Sequence, residues 1–107
     1  MYFCDLEKRE SKEIVPGIQM RTFWGEKMLM SVVDLDANAS LPDHSHPHEQ
    51  ISYVAAGEII FFLDGEPTRL TTGDIYTVPP NVPHAVQLLT EHVCLIDAFT
   101  PIRQDFL

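Results

Sequence analysis

The sequence predicts an all-β domain, closed into a sandwich or barrel, and three observations point there. About nine or ten short runs rich in β-branched and aromatic residues are separated by turn signals, the spacing of a many-stranded chain. No stretch carries a convincing helical period. The run Ile59-Ile60-Phe61-Phe62-Leu63 is apolar on both parities, as expected of a strand covered on both faces. A sheet has to bury its apolar face against another layer, and a chain without helices can only use a second sheet or its own curvature.

Taken in order, residues 1–15 form a polar lead-in, with Lys8–Glu13 solvated or at most a single helical turn. Pro16-Gly17 marks a turn, and Ile18–Trp24 and Met28–Leu35, broken by Gly25-Glu26, read as a hairpin. Asp36–Ser40 connects, with Asn38 the residue best suited to a left-handed backbone. After the histidine-rich stretch Asp43–Gln50 come Ile51–Ala55, a turn at Gly57, the run 59–63 and a hairpin turn at Asp64-Gly65-Glu66. Thr68–Thr71 leads through Gly73-Asp74 to a short strand Ile75–Val78. Pro79-Pro80-Asn81-Val82-Pro83 lacks three amide donors, so it cannot be a central strand and instead reads as a stiff loop ending at His84. Ala85–Leu89 and His92–Phe99 are the last strands, and residues 100–107 form a tail. No linker or repeat divides the chain, so 1–107 is expected to be one domain.

Composition narrows the functions. The 107 residues are 45% hydrophobic and 21% charged, which suits one globular core. Sixteen acidic against seven basic side chains give a formal charge of −9, which argues against nucleic acid and anionic membrane surfaces as partners. Two cysteines, Cys4 and Cys94, make no disulfide framework, and the N-terminus lacks signal-peptide features, so a reduced, cytoplasmic protein is expected. Cys94 lies in an apolar run and reads as a small core residue. No apolar run approaches the ~18 residues of a membrane span.

Chemistry concentrates in Asp43–Gln50, Asp-His-Ser-His-Pro-His-Glu-Gln. His44, His46 and His48 fall on alternate residues and Gln50 keeps the parity, so an extended strand would present all four on one face. Imidazole suits zinc, copper, iron and nickel, and His84 at the end of the proline loop adds a further donor, so a metal site is the leading reading.

The two clusters together resemble the cupin family. The first motif reads His44-x-His46-x3-Gln50-x6-Gly57 and the second Gly73-x5-Pro79-x-Asn81-x2-His84. The resemblance implies a double-stranded β-helix, the cupin jelly-roll barrel, and metal ligands His44, His46, Gln50 and His84. It leaves His48 outside the ligand set, at the pocket rim, and Glu49 on the other parity; His92 reads as a surface or rim histidine. Asn38 and Asn81 replace family glycines, which asparagine tolerates. Gln50 replaces a glutamate, leaving the site one unit more positive and departing from the carboxylate-bearing triad of non-haem iron oxygenases. The metal would be one divalent transition ion, with nickel, zinc, iron and manganese all open. Cupin architecture also implies a homodimer, because edge strands must be covered.

A third cluster ends the chain. Asp97 interrupts the apolar run Val93–Ile96 and shares parity with Phe99. A buried carboxylate is costly unless paired or protonated, so Asp97 is either a proton carrier or a structural group satisfied by Arg21 or a backbone amide. Arg103 offers a fork for a substrate carboxylate, or is an exposed tail arginine. His-Pro-His-Glu-Gln, Tyr-Val-x-x-Gly-Glu and the terminal Asp-x-Phe-x-Pro-x-Arg-x-Asp-Phe-Leu are similar to the KdgF-type cupins. That resemblance implies an enzyme linearising 4,5-unsaturated monouronates from pectin or alginate, with Asp97, Phe99 and Arg103 in its active site. The substrate would be a small sugar acid and the ring opening non-redox. A non-catalytic binding or sensory cupin, or a metal-dependent dioxygenase, are the alternatives.

Overall fold

The computed structural model describes residues 3–107. Its strands are β1 (Lys12–Val15), β2 (Ile18–Trp24), β3 (Leu29–Leu35), β4 (Ser40–His44), β5 (Glu49–Ala56), β6 (Glu58–Leu63), β7 (Glu66–Thr71), β8 (Ile75–Val78), β9 (His84–Leu88) and β10 (Val93–Thr100). They form two antiparallel sheets, a six-stranded one in the order β1-β2-β3-β10-β5-β8 and a four-stranded one in the order β4-β9-β6-β7. The inward parities of both sheets meet in one core, built around Ile18, Leu35, Val54, Ile59, Val78 and Leu95.

Turn chemistry follows the residues expected to supply it. Asn38 and Asn81 adopt positive φ, 72° and 67°. Asp64 and Gly65 do so together, at 50° and 82°, as a two-residue hairpin turn requires. Gly57 is fixed by space as well as conformation, since a Cβ there would sit 2.5 Å from the His92 carbonyl.

Four expectations need correction. Part of the lead-in is β-strand: Lys12–Val15, though exposed, pairs with β2 and satisfies that edge. The histidine stretch is not one continuous strand. β4 ends at His44 and β5 begins at Glu49, because the chain crosses there from the four-stranded to the six-stranded sheet. The run 59–63 is covered on one face only: Ile59 and Phe61 are buried, whereas Ile60 and Phe62 are half-buried on the outside. Cys94 lies outside the core. It has the parity opposite to buried Val93 and Leu95 and pairs with Asp34, and burial together with the Asp34 charge pushes its thiol up to about 11.

The tail folds back. Gln104–Phe106 makes one 3-10 turn, Phe106 packs against the core, and the Thr22 hydroxyl donates to the Phe106 carbonyl at 3.1 Å. On the outer face of the six-stranded sheet Met30, Ile51, Tyr53 and Ile75 are exposed, with Ala98 between Met30 and Ile51 across the strands.

Candidate metal centre and active site

The site begins with a strand pairing. His44, last in β4, and His84, first in β9, stand opposite one another, and their rings lie 4.1 Å apart between centroids. His46 comes from the connection between the sheets, its ring 5.0 Å from that of His84. The proline loop holds this connection in place. Left-handed Asn81 turns its backbone N–H onto the His46 carbonyl at 2.7 Å.

Each ring is oriented by its own backbone. Nδ1 of His44 donates to Pro42 O at 2.9 Å, that of His84 to Val82 O at 2.9 Å, and that of His46 to His48 O at 3.1 Å. A carbonyl only accepts, so Nδ1 carries the proton and Nε2 is left with a lone pair. One ring nitrogen from each of the three residues falls within 4.8 Å of the others. Nε2 of His84 is buried and has no hydrogen-bond partner. Burial lowers the pKa of His84 to about 4 and that of His46 also falls, chiefly through burial and secondarily through the charge of Arg103. Convergent imidazoles with an unpartnered buried lone pair fit a divalent transition metal. Gln50, second in β5, is also buried and sets its Oε1 3.0 Å from His46 Nε2.

The opposite wall carries Asp97, which accepts from Ser52 Oγ at 2.6 Å and from Ser31 Oγ at 3.4 Å. Both serines are its register partners on the flanking strands β5 and β3, so three inward side chains meet across the sheet. Burial raises the Asp97 pKa to about 6, against the opposing effect of the two serines and Arg103. Tyr76 of β8 stands opposite Ser52, and burial with the nearby Asp97 charge keeps its phenol protonated. Arg21 is not the partner of Asp97: it points outward to Asp34 at 3.7 Å.

Arg103 is no exposed tail residue. Its side chain is 13% exposed, stacks over Phe106 at 3.8 Å and near Phe99 at 5.1 Å, and forks onto Asp105 at 2.7 and 3.3 Å. A cavity of about 60 Å³ is lined by His44, Gln50, His84, Asp97, Phe99 and Arg103 among others. The structure thus brings every one of the anticipated site residues to one place, His46 adjoining through Gln50 and the Phe99 ring 5.5 Å away. His48 lies outside the three-nitrogen cluster, and His92 is exposed beside Asp34 at 3.2 Å. Sequence reasoning missed Ser31, Ser52 and Tyr76. The serines gave no signal of their own, since Ser31 among Leu29, Val33 and Leu35, and Ser52 between Gln50 and Val54, look neutral on an inward parity.

Comparison with known proteins agrees with this geometry. The cupin domain model matches residues 31–99. The chain is 38% identical to the pectin degradation protein KdgF of Dickeya dadantii (strain 3937) over 99% of this chain and 97% of that protein. Among solved structures, an RmlC-like cupin from Shewanella frigidimarina superposes with a TM-score of 0.93 at 33% identity, covering 100% of this chain and 96% of the other. KdgF from Halomonas sp. superposes with a TM-score of 0.91 at 31% identity, covering 98% and 97%.

Proposed function

The chain belongs to the cupin family, and on that footing we propose that it is a metal-dependent enzyme that opens 4,5-unsaturated monouronates derived from pectin or alginate. One observation carries the reading: an inward carboxylate, Asp97, and a sheltered guanidinium, Arg103, share a single cavity with His44 and His84 of the three-histidine cluster.

Arg103 binds the sugar carboxylate through N–H donors that the Asp105 fork leaves free, and its stacking on Phe106 and Phe99 fixes the plane of approach. Phe99 packs against the sugar ring. A divalent metal held by His44, His46, Gln50 and His84 would supply Lewis acidity toward a ring or hydroxyl oxygen. Asp97 handles the proton. The C1 hydroxyl gives up its proton as the hemiacetal C1–O bond breaks with its electron pair going to the ring oxygen, and that oxygen takes up a proton, leaving an aldehyde at C1 and an enol at C5. The enol becomes a ketone as C4 gains a proton, so the reaction is an isomerisation with no oxidant and no net water. A carboxyl with a pKa of about 6 exchanges protons readily near neutrality. A second copy of the chain is the partner we assign to the outer face of the six-stranded sheet, where Met30, Ile51, Tyr53 and Ile75 are exposed apolar side chains.

The test follows the enol-ether absorbance of an unsaturated galacturonate mixed with metal-loaded protein, with Asp97→Asn and chelated protein as controls. Loss of the band faster than in buffer, slowed by ~10²–10⁴ in Asp97→Asn, is the expected result. A rate equal to that of buffer alone would refute the assignment.

A further inference from the structure

Between the histidine cluster and Asp97 lies one hydroxyl whose hydrogen bonds run in a single direction while Asp97 is ionised. Ser52 Oγ is 2.6 Å from Asp97 Oδ1 and 2.9 Å from Gln50 Nε2. In its ionised form the Asp97 carboxylate has no proton to give, so the single hydroxyl proton of Ser52 goes to Asp97. The serine oxygen then has only lone pairs to offer Gln50, so the amide must present its N–H₂ to Ser52. The carbonyl end, Oε1, is thereby turned the other way, to within 3.0 Å of His46 Nε2. That nitrogen also bears a lone pair, because its Nδ1 partner is donating to the His48 carbonyl. Two acceptors face one another, an arrangement that a cation between or beside them relieves.

We infer that Ser52 is a positioning residue for the metal centre: anchored by Asp97, it locks the Gln50 amide with its oxygen toward the histidines. Without that hydroxyl the amide loses its 2.9 Å partner and keeps only its interaction with Asp97, so it flips more readily to offer an N–H₂, which cannot ligate a cation. The alternation of β5 makes the device possible, since Gln50 and Ser52 are two residues apart on one inward face, both 5% exposed or less. Ser31, on the other side of Asp97, has no contact with Gln50 and supports the carboxylate alone.

The inference rests on the metal-site reading, and its test reads metal binding independently of uronate turnover. Metal-free protein is titrated with cobalt(II), following affinity and the d–d absorption bands. Ser52→Ala should weaken cobalt binding by about tenfold to a hundredfold and alter the bands, as loss of an orienting partner does. Ser52→Thr, which keeps the hydroxyl, should restore both. Ser52→Cys, similar in shape but a weak donor, should behave like alanine and stands in if the alanine variant fails to fold. In a Gln50→Ala background the Ser52→Ala change should have an effect below about twofold, because the amide it acts through is gone. Parent-like binding and bands in both Ser52→Ala and Ser52→Cys would overturn the inference, as would a full effect persisting without Gln50. Failure of the parent to bind cobalt would overturn the metal site itself, and this inference with it.

Discussion

On the histidine side of the site, the Nδ1 atoms of His44, His46 and His84 are each tied to a carbonyl two residues away, and His84 Nε2 is left buried without a partner. On the facing side the chain supplies Asp97 with donors of its own, Ser52 and Ser31. The two walls face one another across one site, yet one is completed by the protein and the other is not. Unpartnered buried lone pairs are expensive unless an outside group meets them, so the histidine wall reads as a receptor for a cation. A carboxylate already held by two hydroxyls is instead a fixed reagent, poised by burial and restrained from drifting.

The comparison breaks most visibly if the receptor wall is cut. His84→Ala should reduce divalent-metal affinity by more than about a hundredfold, measured by competition with a chromogenic chelator, since a ligand matters more than the outer partners that orient it. Parent-like affinity would show that the orphaned nitrogen has no cation to bind. Next in size, Arg103→Ala should raise KM by about tenfold to a hundredfold with a smaller change in kcat, the loss of charge-assisted hydrogen bonds made equally in ground and transition states. A selective fall in kcat would instead assign Arg103 to the transition state.

Sharpest as a contrast are the opposite pH dependences of the two walls in metal-free protein. Asp97 binds its proton more tightly folded, at about 6 against 3.8, so its favourable contribution is complete below 3.8 and is lost as pH rises through 6. His84 is lowered from 6.5 to about 4, so its contribution is present above 6.5 and is lost as pH falls through 4. Urea denaturation should therefore find Asp97→Asn gaining stability relative to the parent between pH 4 and 7, by up to about 3 kcal/mol. A difference that stays flat across that range would mean Asp97 is not held in the environment described.

Much of this was legible in the chain, unevenly. Asn38 and Asn81 announced left-handed turns because their short side chains tolerate positive φ, a property of single residues. His44, His46, Gln50 and His84 were legible by type and spacing, and Asp97 by its place in an apolar run. Ser31 and Ser52 were not, since a serine on an inward parity looks neutral until a carboxylate is known to lie beside it. The continuous histidine strand was an error of reach: alternation is a rule within one sheet, and residues 45–48 lead from one sheet to the other.

By itself, then, the order of residues determined the all-β class, most of the strand runs with the turns between them, and which donors are at hand, because these depend on neighbours within a few positions. Tertiary structure decided what meets what. His44 finds His84 only through the β4–β9 ladder, and Asp97 finds Ser31 only because β10 pairs with β3. Arg103 reaches the cavity only because Phe106 draws the tail back onto the core. Those meetings are set by pairing register between segments remote in sequence, and register is chosen by the packing of the whole core.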